Sequence, residues 1–574
     1  MVLGKHFIGD IKSPVEKALK CLLEVNPTLG FIESHKIIYN RFVKKNKVIL
    51  ISGGGSGHEP AHAGFVGNGM LDVAVAGDIF ASPSAAQILV GLKAVDGSEG
   101  ILMIVKNYTG DKLNFGLAAQ KARSEDQEIS VVFVNEDASL NAESLVGRRG
   151  LAGTVFVHKI AGAAASRGLK LPEVTRVAQK TANSVTTVGV SLDRCSVPGR
   201  SGQEGLGAAE LEYGMGIHNE PGVLRANLTD LSSVVSKVLS YLLSDSSPVT
   251  FGKNDNIAVM VNNLGGLSVL ELSVIAEEVF KWLSNAPQKL EIARKYVGTL
   301  MTSLDGPGFS VTLLKLDEEI LSYLDDPTEV QAWPKQFENT EDTPAESRIT
   351  QYSPPEKAAY QVKSHLVVAP ETLTKVSSAL LKKIEAEEPT ITKYDTLVGD
   401  GDCGTTLLKG VASINDAFEN GKVDTTDLST TFESIAEIVE SSMGGTSGAI
   451  YGIFLNAFVN HLRDSNEEES LQKILQKSLY GALRDLCTFT LARRGHRTLM
   501  DTLIPFVETF KQTGDLNKAV EDGSRGCEET KKMEAKLGRA SYVSAEQVER
   551  DGGVMDPGAL GLKCILEVLG KELA

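Results

Sequence analysis

The chain of 574 residues is long enough for about three or four domain-sized units, and its 42 % apolar and 23 % charged content is that of a globular protein with proper cores. Its formal net charge of −16 is spread along the sequence with no Lys/Arg-rich tract, which argues against nucleic acid or an anionic membrane as a partner. Cys21, Cys195, Cys403, Cys487, Cys527 and Cys564 show no CxxC spacing, so neither a zinc site nor a disulfide framework is indicated and they read as reduced thiols.

The N-terminus, MVLGKHFIGD, has no hydrophobic signal core, and no apolar run is long enough to cross a bilayer, so the cytoplasm is the expected location. Strand-like runs then recur at KVILISGGG, LDVAVAGD, GILMIVKN and SVVFVNED, each followed by a stretch with helical character. That alternation predicts a largely parallel sheet with crossover helices. A second series, TTVGVSLD, NIAVMVNNLGG, KYVGTLMTS and FSVTLLKL, predicts a second α/β subdomain ending near residue 325.

Three clusters in this half carry candidate chemistry. Gly53, Gly54, Gly55 and Ser56, with Gly57 and His58 after them, let backbone N–H groups approach a small, oxygen-rich ligand where any Cβ would collide. His58-Glu59-Pro60-Ala61-His62 matches the zinc-protease pattern HExxH, but Pro60 argues against it. A helix would start near Glu59 or Pro60 and leave His58 in the loop, off the face that His62 occupies. Lys106 and Asp111, in KNYTGD, lie at a strand's carboxyl end, where open α/β sheets place ligand groups; taken alone, each is more often a surface turn residue, by roughly three to one. His218, in GMGIHNEPG, sits between glycines on an irregular loop poorly suited to core packing.

Residues 326–357 hold five prolines among acidic and hydroxyl side chains and read as a linker. Beyond it the apolar spacing is helical, as in LTKVSSALLKKIEA, FESIAEIVESSM, GAIYGIFLNAFVNHLRD and LGLKCILEVLGKELA, so the C-terminal part is expected to be all α. There KYDTLVGDGDCGTT places Asp395, Asp400 and Asp402 around a glycine-punctuated turn. Three like charges this close repel unless a cation offsets them, and a hard ion such as Mg²⁺ takes a few carboxylates and leaves its other positions to water and phosphate. Thr405 and Thr406 follow, where a helix start would suit a phosphate.

Together SGGGSGHEPAH, KNYTGD, GMGIHNEPG, GDGDCGTT, GGTSGAIYG and MDPGAL make the chain resemble the ATP-dependent dihydroxyacetone kinases, the single-chain Dak family also called triokinases, over nearly its whole length. The resemblance implies a substrate-binding α/β domain of two subdomains at 1–325, the linker at 326–357, and an antiparallel helix-barrel nucleotide domain at 358–574. It implies that His218 adds its imidazole nitrogen to the substrate ketone as a hemiaminal, that Gly53, Gly54, Gly55, Ser56 and Lys106 bind the triose oxygens, and that Asp111 acts as general base with His58 assisting. Asp395, Asp400 and Asp402 would carry two Mg²⁺ on the ATP phosphates, with Mn²⁺ able to take their place. Asp402, Cys403, Gly404, Thr405, Thr446, Ser447, Arg497, Thr498, Asp556, Pro557 and Gly558 would contact the nucleotide, and GRASYV at 538–543 would form a lid. One departure stands out: the family's GDRT element reads GHRT here, with His496 in place of the aspartate that would orient Arg497.

The implied reaction is phosphorylation of dihydroxyacetone, and of glyceraldehyde, by ATP, in a cytoplasmic homodimer that binds neither nucleic acid nor membrane. A second reaction at the same nucleotide site is cleavage of FAD to cyclic FMN, favouring Mn²⁺. A non-catalytic triose sensor is the third reading; the aspartate triad speaks against it, because a binding module has no use for a phosphate-coordinating metal centre.

Overall fold

The apolar runs of the first half become strands, and their two-residue period decides which layer each side chain enters. The computed structural model describes residues 6–8, 11–96, 99–140, 147–199, 205–335, 348–349, 364, 366–465, 468–536 and 553–573, and the chain forms two compact units, Met1–Thr343 and Pro344–Ala574.

In the first unit, β1 (Leu29–Ile32), β2 (Ile37–Asn40), β3 (Ile49–Ser56), β4 (Val73–Ile79), β5 (Ile101–Lys106) and β6 (Ile129–Val134) form a sheet in the order β1-β2-β4-β3-β5-β6. β3, β4, β5 and β6 are parallel, and β1 and β2 add an antiparallel edge. A second sheet holds β7 (Val185–Ser191), β8 (Glu210–Tyr213), β9 (Leu224–Asn227), β10 (Asn256–Asn263), β11 (Glu291–Gly298) and β12 (Gly308–Lys315), ordered β11-β10-β12-β7-β8-β9. Its β10–β11 pair is parallel and its remaining named pairs are antiparallel.

The helices sort into layers by the strand faces they cover. Helix α1 (Pro14–Val25) leads the chain; α2 (Ala85–Leu92) and α3 (Thr109–Arg123) cover Ile49, Ile51, Val73, Val75 and Met103 on one face of the first sheet. The alternate residues Leu50, Ala74, Leu102 and Ile104 face a central layer containing α4 (Thr154–Ser166) and α5 (Leu171–Ala182). That layer also receives Ala258, Met260 and Leu314 from the second sheet. Lying between two sheets, α4 is buried at every position from Thr154 to Ala165; most of these residues are apolar or small, and the buried Lys159 donates from Nζ to the Tyr323 carbonyl at 2.8 Å. The outer face of the second sheet, with Val259, Val261, Val311 and Leu313, packs on α6 (Leu231–Leu242) and α7 (Val269–Ser284).

The packed chain continues past residue 325. After α8 (Glu318–Leu324), Val330 and Trp333 enter the central core, and the Trp333 ring centroid lies 4.9 Å from that of Tyr296 and 6.1 Å from that of Phe156. Proline content signalled a spacer here, but two apolar side chains suffice to hold the first turns of it on the unit. Trp333→Ala is expected to lower the unfolding free energy by about 3–5 kcal/mol, the usual cost of emptying a buried aromatic site. Chemical denaturation followed by circular dichroism measures it.

The described elements of the second unit are helical. α9 (Pro370–Val398), α10 (Cys403–Glu419), α11 (Leu428–Ser442), α12 (Gly445–Arg463), α13 (Leu471–Phe489), α14 (Met500–Thr513), α15 (Leu516–Glu529) and α16 (Pro557–Leu573) each pack on the next, and α16 returns to α9. This closed ring is a helix barrel, with apolar stripes from its members meeting inside. Among the described residues no helix is long and apolar enough to cross a membrane.

Candidate active site

In the first unit the candidate groups gather where β3 and β5 end. Gly53, Gly54, Gly55 and Ser56 close β3 and are buried. Gly54 has a φ of 153°, and a Cβ on it would stand 3.3 Å from Asp111 Oδ2 and 3.7 Å from Lys106 Cε. The glycine run thus leaves open the space in front of those two side chains.

Lys106 ends β5 and is fully buried, with no hydrogen-bond partner for its Nζ among the described residues. Burial pulls its pKa down, and Asp111 is the first of several carboxylates that pull it back. Asp111, in the first turn of α3, accepts a hydrogen bond from Ser82 Oγ at 2.5 Å. Burial raises its pKa, and Lys106 opposes that rise. A carboxyl and an amine so placed suit proton transfer to and from a substrate hydroxyl.

His58 lies in the loop after β3, fully buried and stacked on Phe80 at 5.4 Å between ring centroids. Its Nδ1–H donates to the Thr302 carbonyl at 2.9 Å, and its Nε2 lies 3.0 Å from His218 Nε2. Burial, with the charge of Lys106 next, holds its pKa well below the usual imidazole range, so its resting form is neutral. The residues after it form turns and a short 3₁₀ segment, Ala63–Phe65, in place of the expected helix. His62 turns away to His158, with Nδ1 3.0 Å from the other ring's Nε2, so HExxH makes no shared metal face.

His218 stands on the loop between β8 and β9, whose register pairs Tyr213 with Leu224. Arg149 pins the loop, donating from Nη2 to the Gly214 carbonyl at 2.5 Å and from Nε to Asp137 at 2.7 Å. The His218 ring is met edge-on by His58 and Tyr108, each at 4.6 Å, and by Phe80 at 5.2 Å. Its Nδ1 is 2.8 Å from Glu220 Oε1. The structure therefore brings Lys106, Asp111, His58 and His218 to one place, and adds Ser82, Tyr108, Thr302 and Glu220, to which sequence reasoning assigned no role.

Beneath this site Glu136 is fully buried, accepting the Leu151 N–H at 2.8 Å through Oε1 while its Oε2 has no partner among the described residues. Burial pushes its pKa up to about 7. A carboxyl that holds its proton longer in the folded chain favours folding at low pH, and this contribution is lost as pH rises from the unfolded value toward 7. Glu136→Gln is expected to flatten that fall, worth about 3 kcal/mol. Urea midpoints of both chains at a series of pH values check it.

In the second unit Asp395, near the end of α9, meets Asp400 and Asp402 in the turn before α10, with one ligand oxygen from each lying within 4.8 Å of the others. Among the described residues this is the one such convergence of three or more His, Cys, Asp or Glu side chains. Asp400 and Asp402 are exposed, so incoming ligands can reach the cluster. All-oxygen donors with an open side fit Mg²⁺ bound jointly with phosphate. Asp395 also accepts the Cys403 N–H at 3.0 Å, and burial pushes the Cys403 thiol up to about 12. Thr405 Oγ1 donates to the Asp402 carbonyl at 3.0 Å. Gly404 is buried, and a Cβ there would strike Thr392 Oγ1 at 2.4 Å, so its small size serves the packing of α10 on α9. Thr446 is exposed and Ser447 half-buried in the first turn of α12, with Ser447 hydrogen-bonded to Cys403.

Arg497 is buried at φ 58° and donates to the carbonyls of Thr530 at 3.2 Å and Val554 at 3.0 Å. Asp501 accepts from the N–H of Thr498 at 2.8 Å and of Gly495 at 2.5 Å, clasping the turn that holds His496. Backbone carbonyls and Asp501 thus order the GHRT turn without a carboxylate at 496. Asp556 accepts the Ala559 N–H at 2.8 Å at the start of α16, where Pro557 and Gly558 follow. The protein around it pushes its carboxyl up to about 6 against the pull of that N–H and of Arg497. The expected lid at 538–543 lies outside the described residues, as does most of 336–363.

Residues 20–332 match the Dak1 domain and residues 397–571 the DAK2 domain. The chain is 42 % identical over 586 residues to the "Dihydroxyacetone kinase" of Pichia angusta, covering 96 % of both. It belongs to the dihydroxyacetone kinase family. It is also 36 % identical over 588 residues to the "Triokinase/FMN cyclase" of Homo sapiens, covering 99 % of both. Among solved structures it resembles the dihydroxyacetone kinase from C. freundii in complex with AMP-PNP and Mg2+, at 33 % identity and a TM-score of 0.61, covering 97 % of each chain. The family's α/β and all-helical parts are those of the two units: the Dak1 match lies in the first and holds the paired histidines, and the DAK2 match lies in the second and holds Asp400 and Asp402.

Proposed function

We propose that the chain transfers the γ-phosphoryl group of ATP to a hydroxyl of dihydroxyacetone, and of glyceraldehyde, while His218 holds the carbonyl as a hemiaminal. The observation that carries this is the 3.0 Å approach of His218 Nε2 to His58 Nε2 beside buried Lys106 and Asp111, in a chain that also gathers three aspartates for a phosphate-bearing cation. A three-carbon polyol resembles water in its hydrogen bonding, so polar contacts discriminate poorly, and a reversible carbonyl adduct selects ketones and aldehydes over glycerol.

In this reading Lys106 Nζ donates to a triose oxygen, and Asp111 takes the proton of the attacking hydroxyl, oriented by Ser82. Asp395, Asp400 and Asp402 would hold Mg²⁺, two ions with ATP by the family resemblance. Bound there, the metal neutralises phosphate charge and aligns the γ-phosphoryl group. The chain's own part is placement: Cys403, Thr405, Thr446, Ser447, Arg497, Thr498, Asp556, Pro557 and Gly558 surround the nucleotide, and Gly53, Gly54, Gly55 and Ser56 make room for the triose. The nucleotide domain is taken as 358–574 and the substrate domain as 1–325, with the first part of the 326–357 segment, through Trp333, held on the substrate unit and the rest of it the linker, in a cytoplasmic homodimer. A coupled assay with dihydroxyacetone, ATP and Mg²⁺ tests the reading; absence of the triose phosphate ester would end it.

The likeness to a triokinase/FMN cyclase favours a second reaction at the nucleotide site, cleavage of FAD to cyclic FMN. Incubation with FAD and Mn²⁺, followed by chromatography for the cyclic product, tests it.

A further inference from the structure

Glu220 has no part in the mechanism above, yet it makes two bonds to the residue on which that mechanism turns. Its Oε1 lies 2.8 Å from His218 Nδ1, and its Oε2 accepts the His218 backbone N–H at 2.9 Å. An ionised carboxylate only accepts, so the ring proton on that side sits on Nδ1. Partial burial would raise the Glu220 pKa, but the hydrogen bond and charge of His218, with its backbone N–H, hold it at about 2.

The neighbouring ring is fixed in the same way. The Thr302 carbonyl only accepts, so His58 also carries its proton on Nδ1. Both rings therefore present Nε2 to each other at 3.0 Å, a hydrogen bond only if one further proton lies between them. Buried His58, beside Lys106, is the poorer holder of that proton. On the His218 side the Glu220 carboxylate, 2.8 Å from Nδ1, stands ready to balance the charge of that proton.

We propose that Glu220 is a positioning residue: it commits Nδ1 of His218 to a proton, which leaves Nε2 as the atom that adds to the substrate carbonyl, and it balances the charge of the adduct. This rests on the reading that His218 captures the carbonyl. In the step, the bridging proton moves to His58 Nε2, and the freed lone pair on His218 Nε2 forms the N–C bond. The π pair of the C=O bond moves onto oxygen, which takes the proton back from His58. The product is an imidazolium substituted at Nε2 and protonated at Nδ1, against the Glu220 carboxylate. One positive and one negative charge stand there before and after, so no buried charge is left uncompensated.

Glu220→Gln keeps the shape and an acceptor for the backbone N–H, but removes the charge and lets an amide N–H turn toward Nδ1. The expected result is about tenfold weaker covalent retention of dihydroxyacetone in an intact-mass titration, the scale of one hydrogen bond to a charged group. KM for dihydroxyacetone rises while kcat and the KM for ATP hold, and Glu220→Asp recovers most of the loss. Nitrogen-15 NMR of labelled histidine shows His218 Nδ1 protonated in the unaltered chain and altered in Glu220→Gln. A loop clasp alone would leave the ring nitrogens as they were, so parental retention with parental ring signals in Glu220→Gln overturns the proposal. If circular dichroism shows that variant unfolded, the unaltered chain decides: an Nδ1 without its proton overturns the proposal, and a protonated one supports it. If the unaltered chain retains no dihydroxyacetone, the hemiaminal reading fails by itself, and the same ring signal still decides the role of Glu220.

Discussion

His218→Ala abolishes covalent retention of dihydroxyacetone and lowers kcat/KM for that substrate by at least about a hundredfold, near 2.7 kcal/mol, while nucleotide binding holds. Alanine removes the only imidazole on the β8–β9 loop without removing what shapes the loop, since Arg149 still binds the Gly214 carbonyl and Glu220 can still accept the residue 218 N–H. What is left for the triose is Lys106, Asp111 and the backbone along the glycine run. Those groups form hydrogen bonds that water forms equally well, so the preference for a ketone over glycerol should narrow along with the rate. Intact-mass spectrometry with dihydroxyacetone, the coupled assay and a nucleotide titration together check this. Retention of the substrate mass in the variant would place the adduct on another atom.

The sequence made some parts of this molecule legible and hid others for definite reasons. Strands β3, β4, β5, β7, β10 and β12 are buried along most of their length and β6 in part, which is why apolar residues mark them, whereas the edge strand β11, EIARKYVG, buries only Tyr296 fully and mixes in Glu291, Arg294 and Lys295. The four-residue strands β1, β2, β8 and β9 are too short to show a period, and β8 and β9 are the ones that carry His218. That β12 lies between β10 and β7 is a matter of non-local pairing, which no run of side chains displays. The glycine-flanked histidine and the aspartate triad were visible because their neighbours are unusual. Ser82 was not: it is an ordinary loop serine until α3 brings Asp111 to it. Thr302, 244 residues from His58, offers only a backbone carbonyl, which has no sequence signature. Glu220 stood in the GMGIHNEPG motif without a task, because its task is set by the return of the chain onto His218. The histidine at 496 looked like a loss, but Asp501 supplies the turn with a carboxylate from the adjoining helix.

Asp400→Ala should act on the other half of the reaction, leaving dihydroxyacetone trapped on the first unit but lowering Mg²⁺-dependent turnover by about a thousandfold, near 4 kcal/mol. Asp400 lies in the turn between α9 and α10, outside both helices. Asp395 accepts the Cys403 N–H and lies near the end of α9, and Asp402 accepts the Thr406 N–H through its backbone carbonyl at the start of α10, so changes there also disturb helix ends. Asp400 is exposed in the intervening turn, and its loss should cost little stability. Two carboxylates still hold a cation weakly, so raising Mg²⁺ should recover part of the rate, whereas no concentration of dihydroxyacetone should. The opposite pattern is expected of His218→Ala: added Mg²⁺ changes nothing, and added substrate recovers part of the rate. If the two variants lose substrate retention and metal dependence together, the separation of carbonyl capture from phosphoryl delivery is wrong.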